Sequence, residues 1–231
     1  MINGKRIIAV IPARKGSKRL KNKNILKLID KPLINWTIYA ALNSKFIDDI
    51  VVTTNSEKII KTVKNFSKNI LFIKRPEYLS TSNASSEAVV MHSIKKLKNK
   101  KFNHDIYILL QPTSPLRNKT IIDNAIINFI KNIKIKTLVA VSKVSNSKNT
   151  IKINNKGYIN KINIIDKKVN NINYSINGSI YLGFINNFLK NMNFFEYNCL
   201  AFKMNRTNSI DIDTIFDFKL AEKYLKKIKK I

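Results

Sequence analysis

Residues 106–117 read Ile-Tyr-Ile-Leu-Leu-Gln-Pro-Thr-Ser-Pro-Leu-Arg, and the first five of them decide the fold. A run that is apolar at every position, not at every second one, belongs to a strand covered on both faces, as in a parallel sheet sandwiched between helices. Gln111 ends the run, and Pro112 and Pro115 stiffen the loop that follows. Toward the N-terminus the same unit repeats. Strands are expected at 6–11, 50–53 and 70–73. Between and after them come helices at 32–42, with a proline in its first turn, at 56–66, with Ser56 as N-cap, and at 85–97. Toward the C-terminus a helix at 120–130 precedes a strand at 138–141. This β–α alternation predicts an α/β fold, a mostly parallel sheet flanked by helices.

The rhythm breaks at about 144–173, where Asn-rich, Gly-containing stretches with alternating Ile predict short antiparallel strands near 151–153 and 158–162. We read this interval as a β arm inserted into a single domain spanning 1–231. Parallel rhythm is expected to resume at 179–184, and a helix at 214–228 closes the chain.

Composition narrows the function classes. An apolar share of 44% supports an ordinary core. No apolar run reaches the roughly 18–20 residues of a membrane-spanning helix, and the stretch at 7–11 is too short for a secretory signal. One cysteine excludes an internal disulfide and fits a reducing compartment, so a cytoplasmic protein without a membrane partner is expected. The formal charge of +29 invites a nucleic-acid reading. However, the lysines are scattered, Lys, Asn and Ile approach half of all residues, and arginines number only six. Bidentate phosphate recognition favours Arg, so most of this charge is read as solvated surface and no specific nucleic acid is expected.

In open α/β sheets ligands bind beyond the carboxyl ends of the strands, and three segments follow predicted strands. Residues 11–24, Ile-Pro-Ala-Arg-Lys-Gly-Ser-Lys-Arg-Leu-Lys-Asn-Lys-Asn, set Arg14, Lys18, Arg19, Lys21 and Lys23 around Gly16 and Ser17. Such a loop can wrap a polyphosphate, or it is a solvated basic turn; its place after a strand favours phosphate. The loop at 111–117 offers Gln111, Ser114 and Arg117 as polar hooks, or is a structural turn. In 209–217, Ser-Ile-Asp-Ile-Asp-Thr-Ile-Phe-Asp, period-2 alternation puts Asp211 and Asp213 on one face. Two carboxylates suit Mg²⁺ when phosphates supply its remaining oxygens; Asp213 or Thr214 can also cap the last helix.

Five motifs taken together carry a resemblance over nearly the whole length: IPARKGSKRLKNKN at 11–24, RPEYL at 75–79, LLQPTSPLR at 109–117, NGSIYL at 177–182 and SIDIDT at 209–214. The chain resembles the acylneuraminate cytidylyltransferase family, the CMP-sialic acid synthetases and relatives acting on legionaminic-type acids. The resemblance implies a nucleotide-binding α/β domain whose β arm exchanges between the partners of a homodimer. It implies transfer of CMP from CTP to the anomeric hydroxyl of a nine-carbon ulosonic acid, with pyrophosphate released and Mg²⁺ as cofactor. Position by position, Arg14, Lys18, Lys23 and Asn24 match CTP-binding residues, with Arg75, Ala84 and Ser86 around the cytosine. Gln111, Tyr181, Phe194, Phe195 and, in the arm, Lys148 match the sugar side. Asp211 and Asp213 match the metal carboxylates, and Arg14, Lys23 and Asp211 the catalytic set. Two departures stand out: Lys21-Asn22 replaces a usual Pro-Gly, and Ser175 stands where many members carry arginine near the sugar. A cytidylyltransferase for an eight-carbon acid usually has a Ser-Thr-Arg pattern where this chain has 16–19. His92, His104, Cys199 and Trp36 are read as structural.

Overall fold

A computed structural model describes residues 1–17, 19–132, 134–144, 150–164 and 173–229. In chain order the elements are β1 (Ile7–Pro12), β2 (Lys27–Leu28), β3 (Lys31–Pro32), α1 (Leu33–Leu42), β4 (Asp49–Thr54), α2 (Glu57–Phe66), β5 (Leu71–Lys74) and α3 (Ser86–Asn99). They continue with β6 (Ile106–Leu110), α4 (Lys119–Lys131), β7 (Thr137–Val144), β8 (Thr150–Ile153), β9 (Ile159–Ile164), β10 (Asn173–Phe184), α5 (Ile185–Asn191), β11 (Leu200–Met204) and α6 (Ile215–Lys229).

The central sheet runs β11-β7-β10-β6-β1-β4-β5, with β8 paired to β10 and β9. β1 lies parallel between β4 and β6, and all five residues of β6 are buried. Alternate residues of β1 feed opposite layers. Ile7, Ala9 and Ile11 pack with α1, α2 and α4, while Ile8 and Val10 pack with α3 and α5. Each such buried aliphatic side chain contributes roughly 1.5–3 kcal/mol relative to exposure. A third cluster seats α6, through Ala221 and Leu225, against Leu28, Leu33 and Trp36. That seat brings the segment before α6 across the carboxyl edge of the sheet.

Helix starts follow local chemistry. The Ile59, Ala88 and Ile121 amides donate to the side chains of Ser56, Ser85 and Asn118, each satisfying one of the orphan donors at a helix N-terminus.

One expectation is overturned. β10 is antiparallel to both β6 and β7, not parallel, and it begins at Asn173. A parallel neighbour needs a crossover, usually a helix, and the sequence between β7 and β10 has no helical period. It holds the antiparallel β8 and β9 instead. The antiparallel strand then leaves a register shift between Ile176 and Tyr181, directly at the Asn177-Gly178 pair. β11, parallel to β7, and the short α5 were not anticipated.

Candidate active site

The carboxyl ends of β1, β4, β5 and β6 deliver Arg14, Thr53, Arg75 and Gln111 to one edge. Pairing continues past the strands. The Ala13 amide donates to the Thr53 carbonyl (3.0 Å), and the Arg75 amide to that of Thr54 (2.8 Å). Arg75 is buried, and its guanidinium donates to the Thr53 carbonyl at 2.7 Å. Burial and, second, the charge of Arg14 push its pKa down to about 10, which still leaves it cationic at neutral pH. Two arginines therefore share this edge. Ala84 and Ser86 flank Ser85, the cap of α3, in the loop that leaves β5.

The basic loop is held closed by its own polar groups. Asn24, buried, donates from Nδ2 to the Arg14 carbonyl (3.2 Å), and the Lys15 amide donates to Asn55 Oδ1 (2.9 Å). Asn22 adopts φ 56°, the left-handed region that Gly and then Asn tolerate best, so Asn answers the turn's requirement. Between this loop and the start of α2 lies a pocket of about 330 Å³ lined in part by Arg14, Asn24, Asn55 and Ser56. Lys18 lies outside the described residues.

Lys23 reaches across to the segment before α6. Its Nζ donates to the Ile212 carbonyl (2.6 Å) and to Asp213 Oδ1 (3.0 Å), while Arg19 Nη2 meets Asp213 Oδ2 at 2.7 Å. Ile212 is fully buried, and its amide donates to the Thr113 carbonyl (2.8 Å), so Asp211 and Asp213 both turn away from the core. Thr214 caps α6 in reciprocal exchange with Asp217, whose Oδ2 accepts from the Thr214 amide and hydroxyl (both 2.8 Å). Of the two capping candidates, Thr214 takes the role and leaves the Asp213 carboxylate to its cations.

Asp211 is reached by solvent yet closely surrounded by protein. Desolvation raises its pKa; the Thr113 hydroxyl opposes this, and the negative charge of Asp213 adds to it. Two carboxylates that repel each other across a polyphosphate-type loop are a cation-seeking pair. Among the described residues no three His, Cys, Asp or Glu side chains group to hold a metal alone. The pair therefore fits a hard cation such as Mg²⁺ that takes most of its oxygens from phosphate and water.

On the other side of Asp211 stands the β10 bulge. Gly178 has φ +73°, and a Cβ there would lie 3.8 Å from Gln111 Nε2 and 4.0 Å from Asp211 Oδ2. Gln111, Gly178 and Asp211 thus meet at one point. Tyr181, half-buried, stacks obliquely on Phe194 (centroids 4.7 Å apart) and edge-on to Phe195 (6.4 Å). Burial, then the charges of Glu87 and Asp211, push its pKa up to about 12, so it stays a neutral donor. The expectation that both phenylalanines face the sugar needs correction. Phe194 is only 2% exposed and stacks on Phe188, so it backs Tyr181, while Phe195 keeps solvent access. Lys148 lies outside the described residues.

Reading the sequence missed the residues that tie these loops together. Asn177 Nδ2 donates to Ser209 Oγ (3.0 Å) and its Oδ1 accepts from the Ser179 amide (3.0 Å), which joins the NGSIYL and SIDIDT motifs. Arg117, read as a possible substrate hook, is fully buried instead. Asn-Gly chemistry hinted at the first; nothing local announced the second. Cys199 is buried, and burial pushes its thiol up to about 11 against the bonds to Thr137 and Val139, so it is inert as a nucleophile. His104 pairs with Asp49 (2.7 Å), at the amino end of β4 and far along the strand from the site.

A basic loop at a strand's carboxyl end facing a carboxylate pair is the arrangement a nucleotide-dependent transferase on an α/β scaffold requires. The profile of the cytidylyltransferase family matches residues 8–229, and the chain belongs to that family. It is 35% identical over 220 residues to the N-acylneuraminate cytidylyltransferase of Escherichia coli, covering 94% of this chain and 51% of that protein. It is also 35% identical over 226 residues to the CMP-N,N'-diacetyllegionaminic acid synthase of Legionella pneumophila, covering 95% and 96%. The chain therefore spans about half of the first relative and nearly all of the second. Pseudaminic acid cytidylyltransferase of Campylobacter jejuni is 32% identical over 225 residues, at 93% and 94% coverage. In fold, the chain is similar to CMP:2-keto-3-deoxy-manno-octonic acid synthetase solved with CTP, at TM-score 0.77 and 16% identity over 96% and 99% of the two chains.

Proposed function

We propose that this protein transfers CMP from CTP to the anomeric hydroxyl of a nine-carbon acidic sugar of the sialic or legionaminic type, releasing pyrophosphate. The observation that carries the reading is the convergence of Lys23, Arg19, Asp211 and Asp213 at the carboxyl edge of the sheet. There a basic loop, a carboxylate pair and the Gln111–Gly178 corner meet.

Arg14 and Lys23 bind and neutralise the triphosphate, and Lys23 holds charge on the departing pyrophosphate. Asn24, pinned to the Arg14 carbonyl, sets the distance between loop and ribose. Arg75, with Ala84 and Ser86, receives the cytosine. The Arg19–Asp213 pair is exposed and worth at most about 1 kcal/mol, so arriving phosphates can draw Arg19 off Asp213 at little cost. Gln111, Tyr181 and Phe195 orient the sugar against Asp211. Asp211 and Asp213 would hold Mg²⁺, which supplies charge neutralisation at the α-phosphate and lowers the pKa of the attacking hydroxyl. Most of the acceleration then comes from positioning and electrostatics.

We further propose a homodimer in which the β arm at about 144–173 brings Lys148 toward the partner's sugar site, and a cytoplasmic location. The lone buried cysteine supports the latter, and no helix among the described residues is long and apolar enough to cross a membrane. The test is pyrophosphate release with CTP, Mg²⁺ and a panel of N-acetylneuraminic, legionaminic-type and pseudaminic acids, with the other nucleoside triphosphates as controls. Turnover confined to CTP and to one or more of these acids supports the reading. Binding of CTP without release across the panel overturns the transfer step.

A further inference from the structure

Arg117 is a fully buried guanidinium with no carboxylate bonded to it among the described residues. Both Nη atoms donate to the Gln111 carbonyl (3.2 Å each), Nη1 also donates to the Ser179 carbonyl (2.7 Å), and Nη2 donates to Thr37 Oγ1 (2.9 Å). Thr37, itself fully buried on α1, returns its hydroxyl proton to the same Gln111 carbonyl (3.3 Å). Burying a lone charge is expensive unless it is compensated, and as a turn device it is excessive: the loop already has prolines at 112 and 115 and the bonds from Ser114 and Arg117 amides to Gln111 and Ser114 carbonyls. What the guanidinium does that a turn does not is join two separate walls of the cleft. Gln111 leaves β6, Ser179 closes the β10 bulge, and these walls meet where Gln111 Nε2 and Asp211 Oδ2 flank Gly178. Burial pushes its pKa down to about 9, countered by Asp211, so it remains charged at neutral pH.

We propose that Arg117, braced by Thr37, is a positioning residue for the sugar half of the reaction: it locks the Gln111 loop to the Asn177–Ser179 bulge, and so fixes where the acceptor hydroxyl lies relative to Asp211. The inference rests on the cytidylyl-transfer reading for its catalytic consequence, but its structural core is independent of it. Arg14, Asn24 and Arg75 lie on the other side of the edge, so CTP binding does not depend on this tie.

The experiment compares Thr37→Val, which removes the brace in nearly the same volume, with Thr37→Ser, which keeps the hydroxyl, and with Arg117→Lys. For Thr37→Val, kcat/KM for N-acetylneuraminic acid should fall about tenfold or more, and for Arg117→Lys about 10²-fold, since small displacements of a reacting group have effects of this order. The Kd for CTP by calorimetry should stay within about twofold, and Thr37→Ser should restore the sugar kinetics. Amide exchange at 111–114 and 177–180 should accelerate together in Thr37→Val, a readout that needs no turnover. If wild type turns over none of the nine-carbon acids, the activity reading fails, and the paired exchange still decides the tie. Unchanged sugar kinetics in a folded Thr37→Val, equal losses for CTP and sugar, or exchange that rises at one wall only would each overturn the proposal. Should Arg117→Lys fail to fold, the Thr37 pair carries the test alone.

Discussion

Lys23 shows how a single side chain joins distant parts of the sequence. It sits on the basic loop, yet its side chain is only 12% exposed, its ammonium held by the Ile212 carbonyl and Asp213. Lys23→Ala should fold, since the segment at 209–214 keeps the Ile212–Thr113 bond and the Thr214 cap. Its turnover should fall by about 10²–10³-fold, the loss typical of a preorganised charge-stabilising donor; Asp211→Ala should behave alike. Steady-state kinetics beside thermal unfolding checks this: a large kinetic loss with a small shift in Tm is expected, and near-normal turnover in both variants would sink the site assignment. Asp217 plays a structural part instead. Burial opposes its charge, but the Thr214 hydroxyl and amide outweigh that and hold its pKa below the ordinary 3.8. A depressed carboxylate contributes stability above its unfolded pKa and loses it as pH falls through the folded one. Asp217→Asn should therefore cost about 1 kcal/mol at pH 7, the scale of a lost helix cap. The gap from wild type should close below about pH 4 in denaturant titrations.

At the level of elements, β10 is the most informative strand. Gly183 faces Tyr107 across the β10–β6 pair, and a Cβ there would come within 2.8 Å of the Tyr107 hydroxyl and 3.0 Å of its ring. Gly183→Ala should cost about 1–3 kcal/mol by overpacking. Tyr107 is fully buried, and its hydroxyl finds no partner among the described residues, so Tyr107→Phe should be close to neutral and should recover part of the loss in the double variant. Equal, additive losses in a double-mutant cycle would contradict this packing. The same strand marks where the sequence stops being legible. The buried run at 106–110, the cap at Ser56 and the helical periods of α1 to α4 are local signals, and they placed those elements within a residue or two. Strand direction is not local: the alternation of Ile176, Ile180 and Leu182 is identical in either orientation, and only the want of a helical period in the sequence between β7 and β10 separates them. The short β11 escaped because its five residues follow a turn that no cap or proline punctuates.

For the molecule as a whole, what the sequence offered was proximity without geometry. The loops after 11 and 110 were legible as strand-end loops, the strand before 209 was not, and the alternation at 211–213 fixed which side chains share a face. Which groups close on one another depends on α6 being seated on Trp36 and Leu33, a contact of distant residues with no signature of its own. The role of Arg117, left open between a substrate hook and a structural turn, stayed undecided for the same reason, since a buried arginine and an exposed one look alike in a sequence. The account also predicts a dimer near twice 26.6 kDa in light scattering at moderate salt; a monomer with full activity would remove the arm from the mechanism. The most direct test of the central claim is the fate of the CMP moiety itself. Wild-type protein, CTP, Mg²⁺ and N-acetylneuraminic or a legionaminic-type acid should yield a single new phosphodiester by ³¹P NMR, in equal amount with pyrophosphate and with the mass of the CMP–sugar adduct. CTP left intact with every nine-carbon acid, or hydrolysed to CMP with no adduct, would contradict it.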